Sequence, residues 1–235
     1  MTPSREPGTR AAAPAEPAPP VPTRTETVPT PTGDARVTWY AAPVPHTVLA
    51  LGHGAGGGVG ARDLVALAAA LPPLGCTVAL VEQPWRVAGR RVAPAPRTLD
   101  TAWRELWPAL RAPALPVVAG GRSAGARVAC RTAAELGAVA VLALAFPLHP
   151  PGRPERSRAA ELDAVGGSGL PLLVVQGERD AFGRPEEFPA GAAVAPVPDA
   201  DHGFAVPRRA ATTQSEAMRR LTAAVASWVP VAGGS

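Results

Sequence analysis

The sequence predicts an α/β architecture: an open, mostly parallel sheet of about seven strands with helices on both faces. Three observations carry that expectation. From Val37 onward, short runs rich in apolar and β-branched residues alternate with stretches whose apolar residues recur at helical spacing, the pattern of strand–helix–strand units. At 235 residues and 46% hydrophobic content, the chain can bury one substantial core and has little left for a second. No internal repeat is visible, so a solenoid or propeller is excluded.

The expected strands are Arg36 to Trp39, Thr47 to Leu51, Thr77 to Val81, Pro116 to Ala119, Val139 to Phe146, Leu172 to Gln176 and Ala192 to Ala195. Between them, Leu64, Leu67, Ala68 and Leu71 form one apolar helical stripe. Leu99, Trp103, Leu106 and Leu110 form a second, which Pro108 is expected to end or kink. After Ser123, Ala124, Val128 and Ala129 offer a small apolar surface that can approach a sheet closely, Arg127, Arg131 and Glu135 line the opposite face, and Gly137 suits the C-terminal cap. The last helix opens with Thr213 and Glu216 in capping-box spacing, carries Met218, Leu221, Val225 and Trp228, and is expected to stop before Pro230. Residues 1–33 alternate Pro, Ala, Thr, Glu and Arg with almost no large apolar side chain. They are expected to form a disordered tail before a single domain at 34–235.

Composition narrows the partners. A formal charge of +4 with a pI near 10.3 points formally toward nucleic acid or an acidic membrane. Yet the chain has no Lys, Ile or Asn, its arginines are dispersed, and no basic block stands out, so neither nucleic acid nor membrane is expected as a partner. Cys76 and Cys130 are far apart and form no metal-ligand cluster; no metal is expected. The first residues lack the apolar core of a signal peptide, and no run of about 18 apolar residues occurs. A cytoplasmic protein acting on a small-molecule substrate, with no cofactor, is the expectation, while protein partners are unknown.

The strongest local signal runs from Pro116 to Ala129: an apolar strand, then Gly121-Arg122-Ser123-Ala124-Gly125, then a helix. This is the context of a nucleophile elbow, in which a serine sits on a strained strand-to-helix turn. A Cβ at Gly121 or Gly125 would collide with neighbouring backbone. Seven serines and 24 glycines in 235 residues make about 0.07 such matches expected by chance, before strand and helix flanks are demanded. A glycine-rich turn with a capping serine is the bland alternative.

Serine is a weak nucleophile at neutral pH and needs a base oriented by an acid. After the elbow, Asp180 lies just beyond the strand Leu172 to Gln176, and His202 lies in the loop Asp199-Ala200-Asp201-His202-Gly203-Phe204, directly before a helix. The order serine, acid, histidine assigns Asp180 as the orienting acid and His202 as the base. Glu178 is the fallback acid; Asp199 and Asp201 suit turn roles. Acyl transfer also needs an oxyanion hole. The loop Gly52-His53-Gly54-Ala55-Gly56-Gly57-Gly58 follows a strand, and the N–H groups of Ala55 and Ala124 are the candidate donors, with His53 in a structural role. Gly52, Gly54 and Gly57 also match G-x-G-x-x-G, so an NAD(P)-binding Rossmann domain is a rival reading that leaves the later acid and histidine unexplained. Trp85 and His149 follow strand ends and are candidate substrate-lining residues.

Four segments, Leu51-Gly52-His53-Gly54-Ala55-Gly56, Gly120 to Arg127, Phe146-Pro147-Leu148-His149-Pro150 and Asp201-His202-Gly203-Phe204, resemble the α/β-hydrolase-like family of the NSL acetyltransferase complex subunit 3 and testis-expressed protein 30. The likeness spans roughly residues 45 to 229, and dienelactone-hydrolase-like enzymes are the broader group. It implies the α/β-hydrolase fold and a triad. Dienelactone-hydrolase-like enzymes typically carry Cys where Ser123 stands, so lactone hydrolysis is not implied. A serine hydrolase acting on a small ester or thioester is the expected function, and a catalytically silent hydrolase-like binding module is the alternative.

Overall fold

The computed structural model describes residues 19–233. Its backbone builds one eight-stranded sheet from β1 (Arg24–Thr30), β2 (Gly33–Tyr40), β3 (Thr47–Gly52), β4 (Cys76–Glu82), β5 (Val117–Arg122), β6 (Ala140–Leu144), β7 (Leu172–Gly177) and β8 (Val194–Val197). The strand order is β1-β2-β4-β3-β5-β6-β7-β8. β1 and β2 run antiparallel to their neighbours, and every pair from β4 to β8 is parallel. Strands β3 to β7 carry hardly a polar side chain because helices cover both of their faces.

One face is covered by α1 (Arg62–Ala70) and α6 (Gln214–Gly233), whose Leu64, Leu67, Leu221 and Val225 meet Leu49, Leu51, Leu80 and Leu142 of the sheet. The other is covered by α3 (Pro96–Arg111), α4 (Ala124–Leu136) and α5 (Ala159–Gly167), with the short α2 (Pro84–Val87) at one end. There Leu99, Trp103, Leu106 and Leu110 form the apolar stripe and are all buried. The polar face of α4 is tied down by ion pairs, Arg127 to Glu161 on α5 and Arg131 to Asp100 on α3. Gly137 takes the left-handed C-cap with φ 68°.

Several boundaries differ from the sequence expectation. The expected tail at residues 1–33 is too long: Arg24–Thr30 pairs along its whole length with β2, and residues 1–18 lie outside the described residues. Pro108 does not end α3, which continues to Arg111. It sits on the exposed side of the helix, where water can bond the carbonyl left without a donor because proline has no N–H. Likewise α6 continues past position 230 to Gly233. Its deepest stripe is Ala217, Leu221, Val225 and Val229, with Met218 and Trp228 only flanking the core.

Candidate active site

β3 and β5 are adjacent at the centre of the sheet, yet the chain leaves β3 for β4 on one side and leaves β5 for β6 on the other. Loops leaving their carboxyl ends diverge there, the place where open α/β sheets form a crevice. The loop after β3 carries Gly54 and Ala55, and β5 runs into Ser123.

Ser123 has φ 53° and ψ −112°, a conformation that a side chain rarely adopts and that the surroundings must enforce. They do so by close packing. A Cβ on Gly121 would lie 2.7 Å from the Gly52 carbonyl oxygen, and one on Gly125 would lie 2.5 Å from the same atom. The Ser123 N–H donates to Leu144 O at 2.9 Å, which holds the turn to β6. The serine is the N-cap of α4, so its hydroxyl stands in the positive field of a helix N-terminus.

Ser123 Oγ lies 3.0 Å from His202 Nε2, and His202 Nδ1 lies 2.8 Å from Asp180 Oδ2. A carboxylate only accepts, so the Nδ1–H donates to Asp180, which leaves Nε2 as the acceptor of the serine proton. Asp180 is 1% exposed. Its Oδ1 accepts the Phe182 N–H at 2.8 Å and its Oδ2 accepts from Gln176 Nε2 at 2.8 Å. The Phe182 ring packs against the imidazole with centroids 4.2 Å apart. Glu178, the fallback acid, is engaged elsewhere: its Oε2 accepts the Asp199 N–H. Asp201 Oδ1 accepts the N–H groups of Gly203 and Ala205 and shapes the turn.

Ala55 and Ala124 line one small cavity, together with Trp85, Leu99, Trp103 and Val128. Neither alanine N–H donates to a protein acceptor among the described residues, so both are available to a ligand oxygen. His53 fixes the loop behind them. Its Nδ1–H donates to Gly54 O at 2.9 Å and its Nε2 accepts the Gln83 N–H at 3.1 Å. Burial pushes its pKa below the ordinary value, which keeps the ring neutral as this bonding requires. Gly54 packs against the elbow, since a Cβ there would lie 3.3 Å from Ser123 Cβ. In the dinucleotide motif the third glycine opens the helix. Here α1 begins only at Arg62, so Gly52, Gly54 and Gly57 do not form that phosphate loop.

A family model described as "Alpha/beta hydrolase domain" matches residues 45–230. The chain belongs to the α/β-hydrolase domain family. Among solved structures, the hydrolase domain is similar to the serine hydrolase XC6422 from Xanthomonas campestris, described as without a lid, at 22% identity and TM-score 0.64, covering 89% of this chain and 97% of that one. It is similar to Est1E from Butyrivibrio proteoclasticus at 14% identity and TM-score 0.66, over 88% and 98% of the two chains. It is also similar to a dienelactone hydrolase from Anabaena variabilis at 18% identity and TM-score 0.64, over 88% and 96%. At these identities the likeness establishes the fold. No curated protein matches the sequence.

Two expectations about this hydrolase domain need revision or completion. His149 does not offer its ring to a substrate: Nδ1 lies 2.9 Å from Pro150 O and Nε2 lies 2.9 Å from Glu187 Oε2. The Pro150 carbonyl, then Glu187, hold its pKa above the ordinary value, and the doubly protonated ring is the form that donates to both acceptors. Its contribution is through the backbone, whose N–H donates to Phe182 O. Gln176 and Phe182, which touch Asp180 and His202, were not singled out from sequence; a glutamine ending an otherwise apolar strand was the available signal. Burial pushes the thiols of Cys76 and Cys130 up to about 12, which makes both poor nucleophiles. No helix among the described residues is long and apolar enough to cross a membrane.

Proposed function

We propose that this protein is a serine hydrolase that cleaves a small ester or thioester through an acyl-enzyme on Ser123. The observation that carries the reading is the continuous chain from Ser123 Oγ through His202 to Asp180, at 3.0 and 2.8 Å. A binding module has no need to hold a serine in strained geometry, aim an imidazole at it and bury an acidic side chain behind that ring.

Ser123 Oγ attacks the substrate carbonyl carbon while its proton passes to His202 Nε2. The Asp180 carboxylate holds the Nδ1–H tautomer and stabilises the imidazolium that results. The carbonyl oxygen gains negative charge and takes hydrogen bonds from the N–H groups of Ala55 and Ala124, which are oriented before the reaction begins. The tetrahedral intermediate then expels the alcohol or thiol, which receives the proton from His202. Water enters, gives a proton to the same nitrogen, attacks the acyl carbon, and the acid leaves with Ser123 restored. Only residues 145–171 separate β6 from β7, and they hold α5 against α4. This favours a small substrate reached directly from solution.

The finer likeness to the family of NSL complex subunit 3 and testis-expressed protein 30 rests on the elbow arginine and the Pro147-Leu148-His149-Pro150 segment. A fluorophosphonate probe should label the wild-type protein and fail to label Ser123→Ala. A folded wild-type protein that neither labels nor hydrolyses a short aryl ester would leave the silent binding module as the better account.

A further inference from the structure

The residue before the nucleophile reaches the main chain of the base. Arg122 ends β5, and its Nη2 donates to the carbonyl oxygen of His202 at 2.6 Å, 80 residues away in sequence. Its Nε donates to Asp63 Oδ2 at 3.0 Å. Its Nη1 lies 3.4 Å from where a Cβ on Gly54 would stand. One guanidinium therefore touches the serine elbow, the loop of Ala55, the turn of His202 and the first turn of α1. The Asp63 side chain is wholly buried, and that of Arg122 is 14% exposed. We propose that Arg122 is a positioning residue, a strut that sets the distance between the His202 ring and Ser123, with Asp63 as its anchor; this rests on the serine-hydrolase reading.

Asp180 and Phe182 hold the His202 ring to the loop after β7; the other bonds around His202 are of two kinds. Those made by Asp201 shape the turn from within and do not tie it to the elbow. The ring's bond to Ser123 does tie it, but that bond is given up each time the proton passes from serine to leaving group. The Arg122 bond takes no part in proton transfer, because a guanidinium stays protonated throughout. It can hold the turn in register while the ring exchanges partners. A cation this close to a forming imidazolium would oppose it, and the Asp63 carboxylate on the same guanidinium offsets that charge. Two separate acceptors demand a planar fork of donors, which lysine lacks.

Arg122→Met alone would leave the Asp63 charge buried without a partner and endanger folding. The informative variants are Arg122→Lys and the double variant Arg122→Met with Asp63→Asn, which removes the pair together. Both should fold with thermal midpoints near wild type. Both should react with a fluorophosphonate and turn over 4-nitrophenyl acetate about 10- to 100-fold more slowly, with kcat carrying the loss and KM nearly unchanged, as expected when a catalytic group is misplaced. The far-downfield proton resonance of the His202 Nδ1–H should shift or broaden in each. A folded double variant that labels at the wild-type rate with that resonance unmoved overturns the proposal. If wild type itself fails to label, the hydrolase reading falls, and the resonance comparison alone decides whether Arg122 holds His202.

Discussion

Gln176 Nε2 lies 2.8 Å from Asp180 Oδ2, the same oxygen that receives the Nδ1–H of His202. The same amide nitrogen also bonds Gly183 O at 2.8 Å, so one wholly buried glutamine ties the strand end to the loop carrying the acid. Gln176→Leu should cost about 1–3 kcal/mol of stability, since it strands buried acceptors without a donor. Chemical denaturation reads the loss, and slower fluorophosphonate labelling should accompany it.

Asp180→Asn keeps the shape of the acid but cannot enforce the Nδ1–H tautomer. Turnover of a short aryl ester should fall by up to about 10⁴-fold. Glu178→Gln, two residues earlier, should change turnover little, because that carboxylate bonds the Asp199 N–H. A severe Glu178→Gln defect beside a mild Asp180→Asn one would reassign the acid.

Gly125→Ala and Gly56→Ala make a matched pair. The first brings a Cβ to 2.5 Å from the Gly52 carbonyl oxygen, while the second meets nothing within 4 Å. Gly125→Ala should abolish soluble yield or lower the melting temperature by many degrees, and Gly56→Ala should melt like wild type. Equal melting temperatures for the two would show that the elbow can relax.

His53 makes stability depend on pH. Its folded-state pKa lies below the ordinary value, which is about 6.5. The stability it contributes is therefore fully present above that ordinary value and is lost as pH falls toward the folded value, because the unfolded chain takes up a proton that the folded ring resists. His53→Gln should flatten the stability difference between pH 7 and pH 5 measured by denaturant titration. An unchanged pH dependence would refute the neutral-ring account.

The cavity beside Ala55 and Ala124 has a volume of about 10 Å³ and is walled by Leu99, Trp103 and Val128, room for roughly one methyl- or water-sized group. If the acyl chain enters there, 4-nitrophenyl acetate should be cleaved with a kcat/KM at least about tenfold above the octanoate. Val128→Ala should narrow that gap. A wild-type preference for the octanoate would place the acyl chain elsewhere.

How much of this was legible in the sequence depended on whether the signal was local. The elbow could be read because its strand, two glycines and helix are contiguous, and Asp180 and His202 because each follows a strand end in a fixed order. β1 was missed for a physical reason. None of its side chains is buried, so it has no apolar periodicity to display, and it is held by pairing with β2 and by the Trp39 Nε1–H bond to Glu26. Gln176 and Phe182 bond Asp180 from only four and two residues away, but how the loop folds back on the strand end leaves no periodic pattern to read, and the partner of Arg122 lies far off in the chain. The side chain of Arg122 reaches 80 residues forward to His202, which no spacing rule records.

The exposed turn at residues 151–157 divides the chain in an unequal way. Ser123, Ala55 and Ala124 lie before it and Asp180 and His202 after it, so on the proposed reading the nucleophile and oxyanion donors are on one side and the acid and base on the other. A protease cutting there would leave one fragment with an unactivated serine and another with a histidine that has nothing to deprotonate. Hydrolytic activity in such a nicked preparation would then measure fragment complementation, the reassembly of α5, β7, β8 and α6 onto the remaining fold.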